Sequence, residues 1–251
     1  MILGVALGIA EGSVPTKMPP HFWVARDGDD IVMTAFMSLS GKLNVTRAMR
    51  PDAIGALMRD VHERGVAVET LNGPEPTSTE CAKALAALRG LTTTRVFAQR
   101  IHELKRVDHL GNASGRMRLA RLADVEKLIP WTADFYIDVG MAGSDPAEGV
   151  RYRIAQEQLY VWDNDGPVSM AAWTGKTPNG VRVAYVYTPP TLRGKGYATS
   201  NVAHLTKLLL ERGNRFCCLY TDLANPTSNA IYARIGYRAL SDAGVWRLGG
   251  G

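Results

Sequence analysis

Two short runs hold the residues best suited to chemistry. Arg193-Gly194-Lys195-Gly196-Tyr197-Ala198 stands where a strand pattern gives way to a helix pattern, and Asn225 and Tyr232 follow, seven residues apart. A helix N-terminus leaves amide hydrogens unbonded and carries partial positive charge, so a diphosphate set there meets ready donors. Gly194 and Gly196 lack Cβ atoms, which lets the backbone come close to phosphate oxygens and adopt the φ angles of an anion nest. Lys195 adds a cation. The same glycines would also serve a plain tight strand-to-helix turn.

The elements that must position these residues follow from the pattern around them. Val181 to Tyr187 is rich in β-branched and aromatic residues and reads as a mostly buried strand, which Pro189-Pro190 must end. Ala198, Val202, Leu205, Leu208 and Leu209 give the helix its apolar stripe, with a stop expected at Gly213 beside Arg212. Arg215 to Thr221 is a second apolar strand. Asn225-Pro226 then provides an N-cap and a first-turn proline for a short helix ending at Gly236. At about 100° per residue, Asn225, Ser228 and Tyr232 share one helix face and can line one ligand. Capping alone would also explain Asn225, and a core position would explain Tyr232.

Other phosphate and metal motifs fit less well. A dinucleotide fingerprint wants a third small residue where this chain has Thr199, and the triphosphate-like ending Gly175-Lys176-Thr177 has Met170 in place of the required glycine. His21, His62, His102, His109 and His204 show no metal-site spacing, so no metal is expected. His204, on the cradle helix, reads as a surface residue. The three cysteines, two of them adjacent at Cys217-Cys218, form neither a disulfide framework nor a zinc pattern, which favours a reducing cytoplasm.

With these motifs in place, the chain resembles the GNAT superfamily of N-acetyltransferases. The run from Tyr187 to Thr199 is similar to that family's Arg/Gln-x-x-Gly-x-Gly/Ala motif, and the run from Asn225 to Tyr237 to its second motif. The resemblance covers about residues 116–251. Leu71-Asn72-Gly73-Pro74-Glu75-Pro76 and the run from Tyr220 to Pro226 are similar to two-domain bacterial members.

The resemblance implies acetyl-coenzyme A as cosubstrate. It implies that Val186, Tyr187 and Thr188 offer backbone groups to the acetyl-pantetheine arm, and that Arg193, Gly194, Lys195, Gly196, Tyr197, Ala198 and Thr199 surround the pyrophosphate. Asn225 and Ser228 would face the arm, and Tyr232 would protonate the departing thiolate. An amine would attack the thioester directly in a ternary complex, with a backbone amide of residues 186–188 stabilising the oxyanion. Some relatives carry a glutamate where this chain has Tyr220, so the general base does not carry over. Asp222 would point to the same side of a continuous strand and is the first candidate, followed by Glu157 and Glu148. A water relay is the alternative. Two other functions remain open: an aminoacyl-tRNA-dependent peptidyl transferase with tandem GNAT-like domains, and an acyl-coenzyme A sensor without turnover.

At 251 residues and 46% hydrophobic content the chain is globular, with one large or two modest domains. The expected fold class is α/β with a mixed sheet. A degenerate GNAT-like domain at 1–112 precedes the catalytic GNAT domain at 116–251, with the boundary in the polar segment His109 to Gly115. The first half is read as a helix over Leu3 to Ala10, strands at His21 to Arg26 and Ile31 to Met37, a helix over Pro51 to Arg64, a strand at Val66 to Glu69, and a helix over Ser78 to Leu88. A strand-like run at Arg95 to Arg100 follows. The second half opens with a strand at Met117 to Leu119, helices from Ala123 to Val139, and a helix at Val150 to Glu157. Strands at Leu159 to Trp162 and Val168 to Trp173 complete it.

No second phosphate motif occurs in the first half, so no cofactor is expected there; its expected role is to cover one side of the acceptor cleft. The apolar Met1 to Ala10 lacks a basic flank and is too short for a span, so neither signal nor membrane anchor is expected. Net charge +5 attracts phosphates mildly, but no basic run interleaved with aromatics points to nucleic acid. The partner expected is a small-molecule or peptide amine, with Gly140 to Val150 among the acceptor-side loops.

Overall fold

The computed structural model describes residues 21–38, 41–139 and 145–249. The helix expected over Leu3 to Ala10 and the first part of the Gly140 to Val150 loop lie outside them. The chain divides into two compact units: one gathers the described residues up to Ile101 with Thr221–Pro226 and the strand from Ala239 onward, the other His102–Tyr220 with Thr227–Arg238.

In the first unit the strands are β1 (Phe22–Asp27), β2 (Asp30–Met37), β3 (Lys42–Val45), β4 (Thr70–Pro74), β5 (Thr92–Leu104) and β11 (Arg238–Gly249), in the order β1-β2-β3-β4-β11-β5. β1, β2 and β3 are antiparallel neighbours, β3 and β4 run parallel, and β11 returns antiparallel beside β4. Two helices supply the apolar cover. In α1 (Pro51–Glu63) proline takes the first turn, where its missing N–H costs nothing, and Leu57, Met58 and Val61 recur on one face. α2 (Thr77–Arg89) ends on Gly90 at φ 64°, with Leu91 N returning to Ala86 O at 2.9 Å. Leu57, Met58 and Leu85 pack with Met33, Leu43 and Leu71 in one core.

The strand expected at Val66 to Glu69 forms at Thr70–Pro74 instead. Gly73 and Pro74 look like turn residues in sequence, but the parallel pairing needs a glycine there: a Cβ on Gly73 would lie 2.4 Å from Val45 Cγ2 and 2.8 Å from Val45 O. β3 and β11 carry no expectation from sequence, and the run at Arg95 to Arg100 extends to Thr92–Leu104.

The second unit contains β6 (Arg116–Leu119), α3 (Val125–Asp138), α4 (Pro146–Ala155), β7 (Leu159–Asp163), β8 (Pro167–Thr174), β9 (Gly180–Tyr187), α5 (Tyr197–Glu211), β10 (Phe216–Asp222) and α6 (Pro226–Ile235). Its sheet runs β10-β9-β8-β7-β6, antiparallel except for the β9–β10 pair. One face packs Val181, Val183, Cys217 and Leu219 against α5 and α6; the other packs Val161, Met170 and Ala172 against Leu128 and Trp131 of α3. The helix expected over Val150 to Glu157 begins earlier, at Pro146, because Asp145 caps it by accepting from Ala147 N at 2.8 Å. Arg118 ties β6 to β7 and to the turn before α3 by binding Asp124 at 2.7 Å and Asp163. Cys81 and Cys217 are buried, and burial pushes both thiols up to about 12. Among the described residues no helix is long and apolar enough to cross a membrane.

Gly73→Ala should destabilise the protein by about 1–3 kcal/mol, because the parallel pair must shift to admit the methyl. The midpoint of urea unfolding measures it; an unchanged midpoint would mean that β3 and β4 can yield at this point.

Candidate active site

β9 and β10 begin as parallel partners, with Phe216, Cys217 and Cys218 opposite Gly180, Val181 and Arg182. The pairing then stops, and the remaining length of β9 toward Tyr187 has no strand on its β10 side among the described residues. β9 also bulges along that stretch. Met170 of β8 pairs with Tyr187 but Ala172 pairs with Ala184, so β9 uses one residue more than β8. The extra residue is Tyr185, held at φ 56°, a left-handed conformation that is strained for an aromatic side chain.

Packing holds this strain in place. Val181 and Val183 face the α5 side, whereas Ala184, Tyr185 and Tyr187 all face α3. Tyr185 is clamped there by Phe135, at 4.9 Å between rings, and by the Arg153 guanidinium 3.6 Å above its ring. The bulge thus turns the backbone of 186–188 away from ordinary ladder geometry.

Beyond β9 the chain makes a short 3-10 turn over Pro190–Leu192 and enters α5 through Gly194 at φ 80° and Gly196 at φ 77°. Among the described residues nothing lies within 4 Å of a Cβ built on Gly194, and only Ala113 Cβ, at 3.8 Å, approaches one on Gly196. The first amide of α5 with an acceptor is Ser200 N, on Gly196 O at 3.0 Å. Among the described residues the amides of Gly194 to Thr199 have no protein acceptor, and Gly194, Lys195 and Gly196 are exposed. The arrangement is an open N-terminal anion nest with one flexible cation beside it.

The side chains expected around it take different parts. Arg193 folds back, its Nε donating to Thr188 O at 2.9 Å and its guanidinium 5.7 Å above the Tyr187 ring. Tyr197 is buried with Trp162 and Val168, and its hydroxyl accepts from Asn164 Nδ2 at 3.1 Å, so only its amide faces the loop. Thr199 is buried. The segment read as the domain boundary lies against α5, where Ala113 N donates to Ser200 Oγ at 3.2 Å.

Val186 is half-buried on the α5 side, while Tyr187 and Thr188 are buried. The Tyr187 hydroxyl donates to Asp134 at 2.7 Å; burial, then this hydrogen bond, pushes the phenol up to about 12. On α6, Ser228 and Tyr232 stand one turn apart, and the Tyr232 ring lies edge-on to Tyr237 at 5.9 Å inside the core. Among the described residues the Tyr232 hydroxyl has no protein partner, and burial alone raises its pKa.

Asp222 and Asn225 belong to the first unit, where Asn225 N donates to Asp222 O at 3.1 Å and Asp222 Oδ1 accepts from Ala224 N at 2.8 Å. Along β10, Asp222 keeps the alternation of half-buried Cys218 and Tyr220. Glu148, in the first turn of α4, and Glu157, just past its end at φ 52°, are both exposed. His204 is half-buried 5.2 Å from the Trp162 ring, and burial, then Lys207, lowers its pKa. Sequence reasoning did not single out Tyr185, Asp134, Ser169 or Asn201. For the last two a signal was present: a polar residue within an apolar strand or helix stripe demands a buried partner.

Comparison with known proteins agrees with this architecture. Residues 162–247 match the family model described as FR47-like protein. No curated protein matches by sequence. Among solved structures, a GNAT-family acetyltransferase from Colwellia psychrerythraea superposes with TM-score 0.60 at 11% identity, covering 92% of this chain and 85% of that one. The chain has the fold of these GNAT acetyltransferases. A GCN5-related N-acetyltransferase from Kribbella flavida matches with TM-score 0.61 at 17% identity over 88% of each chain. Another from Sphaerobacter thermophilus gives TM-score 0.61 at 15% identity, over 88% of this chain and 77% of that one.

The buried phenols of this GNAT fold set an alkaline limit to stability. Burial raises Tyr232 and Tyr237, and Tyr187 reaches about 12, all above the ordinary value. A phenol raised in the folded state contributes stability in full below the unfolded value of about 10, and loses it as pH climbs through the folded value. The urea midpoint should therefore stay level from neutral pH to about pH 9 and fall from about pH 10 upward. Tyr187→Phe should soften that fall; an identical profile would mean that Tyr187 titrates normally.

Proposed function

We propose that this chain is an acyltransferase that moves an acetyl group from acetyl-coenzyme A to a primary amine. The observation that carries this reading is the pairing of two features within one unit: amides from Gly194 to Thr199 at the head of α5 that have no acceptor among the described residues, and a bulged β9 from which β10 has parted. The first suits a diphosphate, and the second leaves backbone groups for an extended amide-bearing arm. Match to the FR47-like family model and the GNAT fold of the neighbours support acyl transfer.

In this reading Gly194 to Thr199 bind the diphosphate through main-chain hydrogens, with Lys195 adding charge. Val186 to Thr188 run beside the acyl end of the arm, and Ser228 binds the arm farther along. The amine lone pair attacks the thioester carbon, the carbonyl electrons move onto oxygen, and their return breaks the C–S bond. The amine gives up its proton to a base or a water relay, and the thiolate takes a proton in turn. Tyr232 is the donor nearest in kind: among the described residues its hydroxyl has no partner, and burial keeps it protonated at neutral pH. Because a raised phenol is a weaker acid than a thiol of pKa about 8.5, its main effect is a hydrogen bond to sulfur as charge develops there.

Calorimetry with acetyl-coenzyme A, followed by thiol release across a panel of amines, tests the reading. Binding with turnover is the expected result; binding without turnover on any amine would favour a sensor, and absence of binding would remove the assignment. Tyr232→Phe should lower kcat by about 10-fold or more while coenzyme A affinity stays within a few fold. Gly196→Asp should abolish binding, since φ 77° disfavours a side chain and the carboxylate repels phosphate, with a thermal melt confirming the fold.

A further inference from the structure

Beneath the end of β9 lies a cluster of buried polar side chains, and two of them, Ser169 and Asn201, have no part in the reaction above. Ser169 of β8 is fully buried, as is Asn201 of α5, and Thr188 is nearly so. The Ser169 hydroxyl donates to Tyr187 O at 3.1 Å and accepts from Thr188 Oγ1 at 2.9 Å. Asn201 Nδ2 reaches Ser169 O at 3.4 Å, so the helix that bears the open amides at its head is tied to the same serine. Three polar side chains in a packed interior are costly unless their arrangement serves something.

The geometry of the peptide between Tyr187 and Thr188 shows what that is. Among the described residues the Thr188 amide has no acceptor, although Thr188 is buried. The peptide is trans, since the one cis bond among the described residues is Glu75-Pro76, so its N–H points opposite to its C=O. Ser169, on β8, holds the carbonyl. The N–H is thereby directed away from Ser169, toward the side of β9 on which pairing with β10 has ended. A hydrogen bond into the carbonyl also polarises the amide unit and makes its N–H a stronger donor.

We propose that Ser169 is a positioning residue that aims and polarises the Thr188 amide at the acyl carbonyl, with Asn201 anchoring Ser169 from α5. The inference rests on the acyl-coenzyme A reading and selects one donor among the backbone groups of 186–188. It makes the site sensitive to the acyl carbonyl itself, independently of the diphosphate.

The test compares acetyl-coenzyme A with free coenzyme A, which lacks the carbonyl, on the full chain by calorimetry. Ser169→Ala should weaken acetyl-coenzyme A about 3- to 10-fold and leave coenzyme A within about 2-fold, while kcat falls more than KM changes. Ser169→Cys, a weaker donor of similar size, should fall between wild type and alanine. In the wild-type protein the stretch of an isotope-labelled acetyl carbonyl should move to lower frequency on binding, a readout that needs no variant. Equal effects on both ligands, no effect on either, or an unshifted carbonyl would overturn the role of Ser169. Failure of the wild-type chain to bind either ligand would overturn the carrier reading as well, a different result from binding without discrimination.

Discussion

A backbone donor withdrawn from water must find an acceptor, and this site is built where that requirement is left open. Parallel pairing of β9 with β10 lasts from Gly180 to Arg182 and then ends, and α5 begins on glycines with no side-chain cap. Both leave amides without partners among the described residues. A ligand rich in acceptors, with phosphate at one end and carbonyls along its length, would complete hydrogen bonding that the protein does not complete by itself.

Holding such a backbone in place takes packing on both faces of the sheet. On one face Val181, Val183, Cys217 and Leu219 lock β9 and β10 to α5 through Val202 and Leu205. On the other, Phe135, Tyr136 and Arg153 surround Tyr185 and hold its left-handed φ of 56°. Strain of this kind persists only where neighbours over-determine it. Arg193 and Ser169 then bind the successive carbonyls of Thr188 and Tyr187, so the backbone entering the loop is fixed on its carbonyl side and open on its amide side.

The first unit shows the contrasting outcome of a similar order of elements. β3, α1 and β4 form a parallel strand–helix–strand crossover, as β9, α5 and β10 do. Its strands stay together. Lys42, Leu43 and Asn44 pair with Thr70, Leu71 and Asn72, and Gly73 lies tight against Val45, so the pair closes where β9 and β10 open. α1 also starts on Pro51 rather than on glycines, and its N-cap Arg50 is already paired with Asp27 and with Asp52 of the first turn, which suits a solvated helix end and disfavours a phosphate.

Much of this was legible in the chain itself. The glycines before α5, the prolines that end β9, Asn225-Pro226 and the stop at Gly236 are local signals, because each residue's own geometry dictates what the backbone can do there. The α/β class and the helix and strand order of the second unit followed from the same signals. What the chain alone left undecided were relations between distant segments. The strand at Thr70–Pro74 looked like a turn because the need for Gly73 comes from Val45, and Pro146 rather than Val150 opens α4 because Asp145 caps it. Tyr185 becomes a bulge only when β8 and β9 are aligned, and Ser169 finds its role only when Tyr187, Thr188 and Asn201 are brought to it. The sequence by itself determined where backbone donors would be exposed, since glycine, proline and capping residues act on their neighbours; tertiary structure decided which of those donors stay unpaired and where they point, since that depends on strands and helices packing from far along the chain.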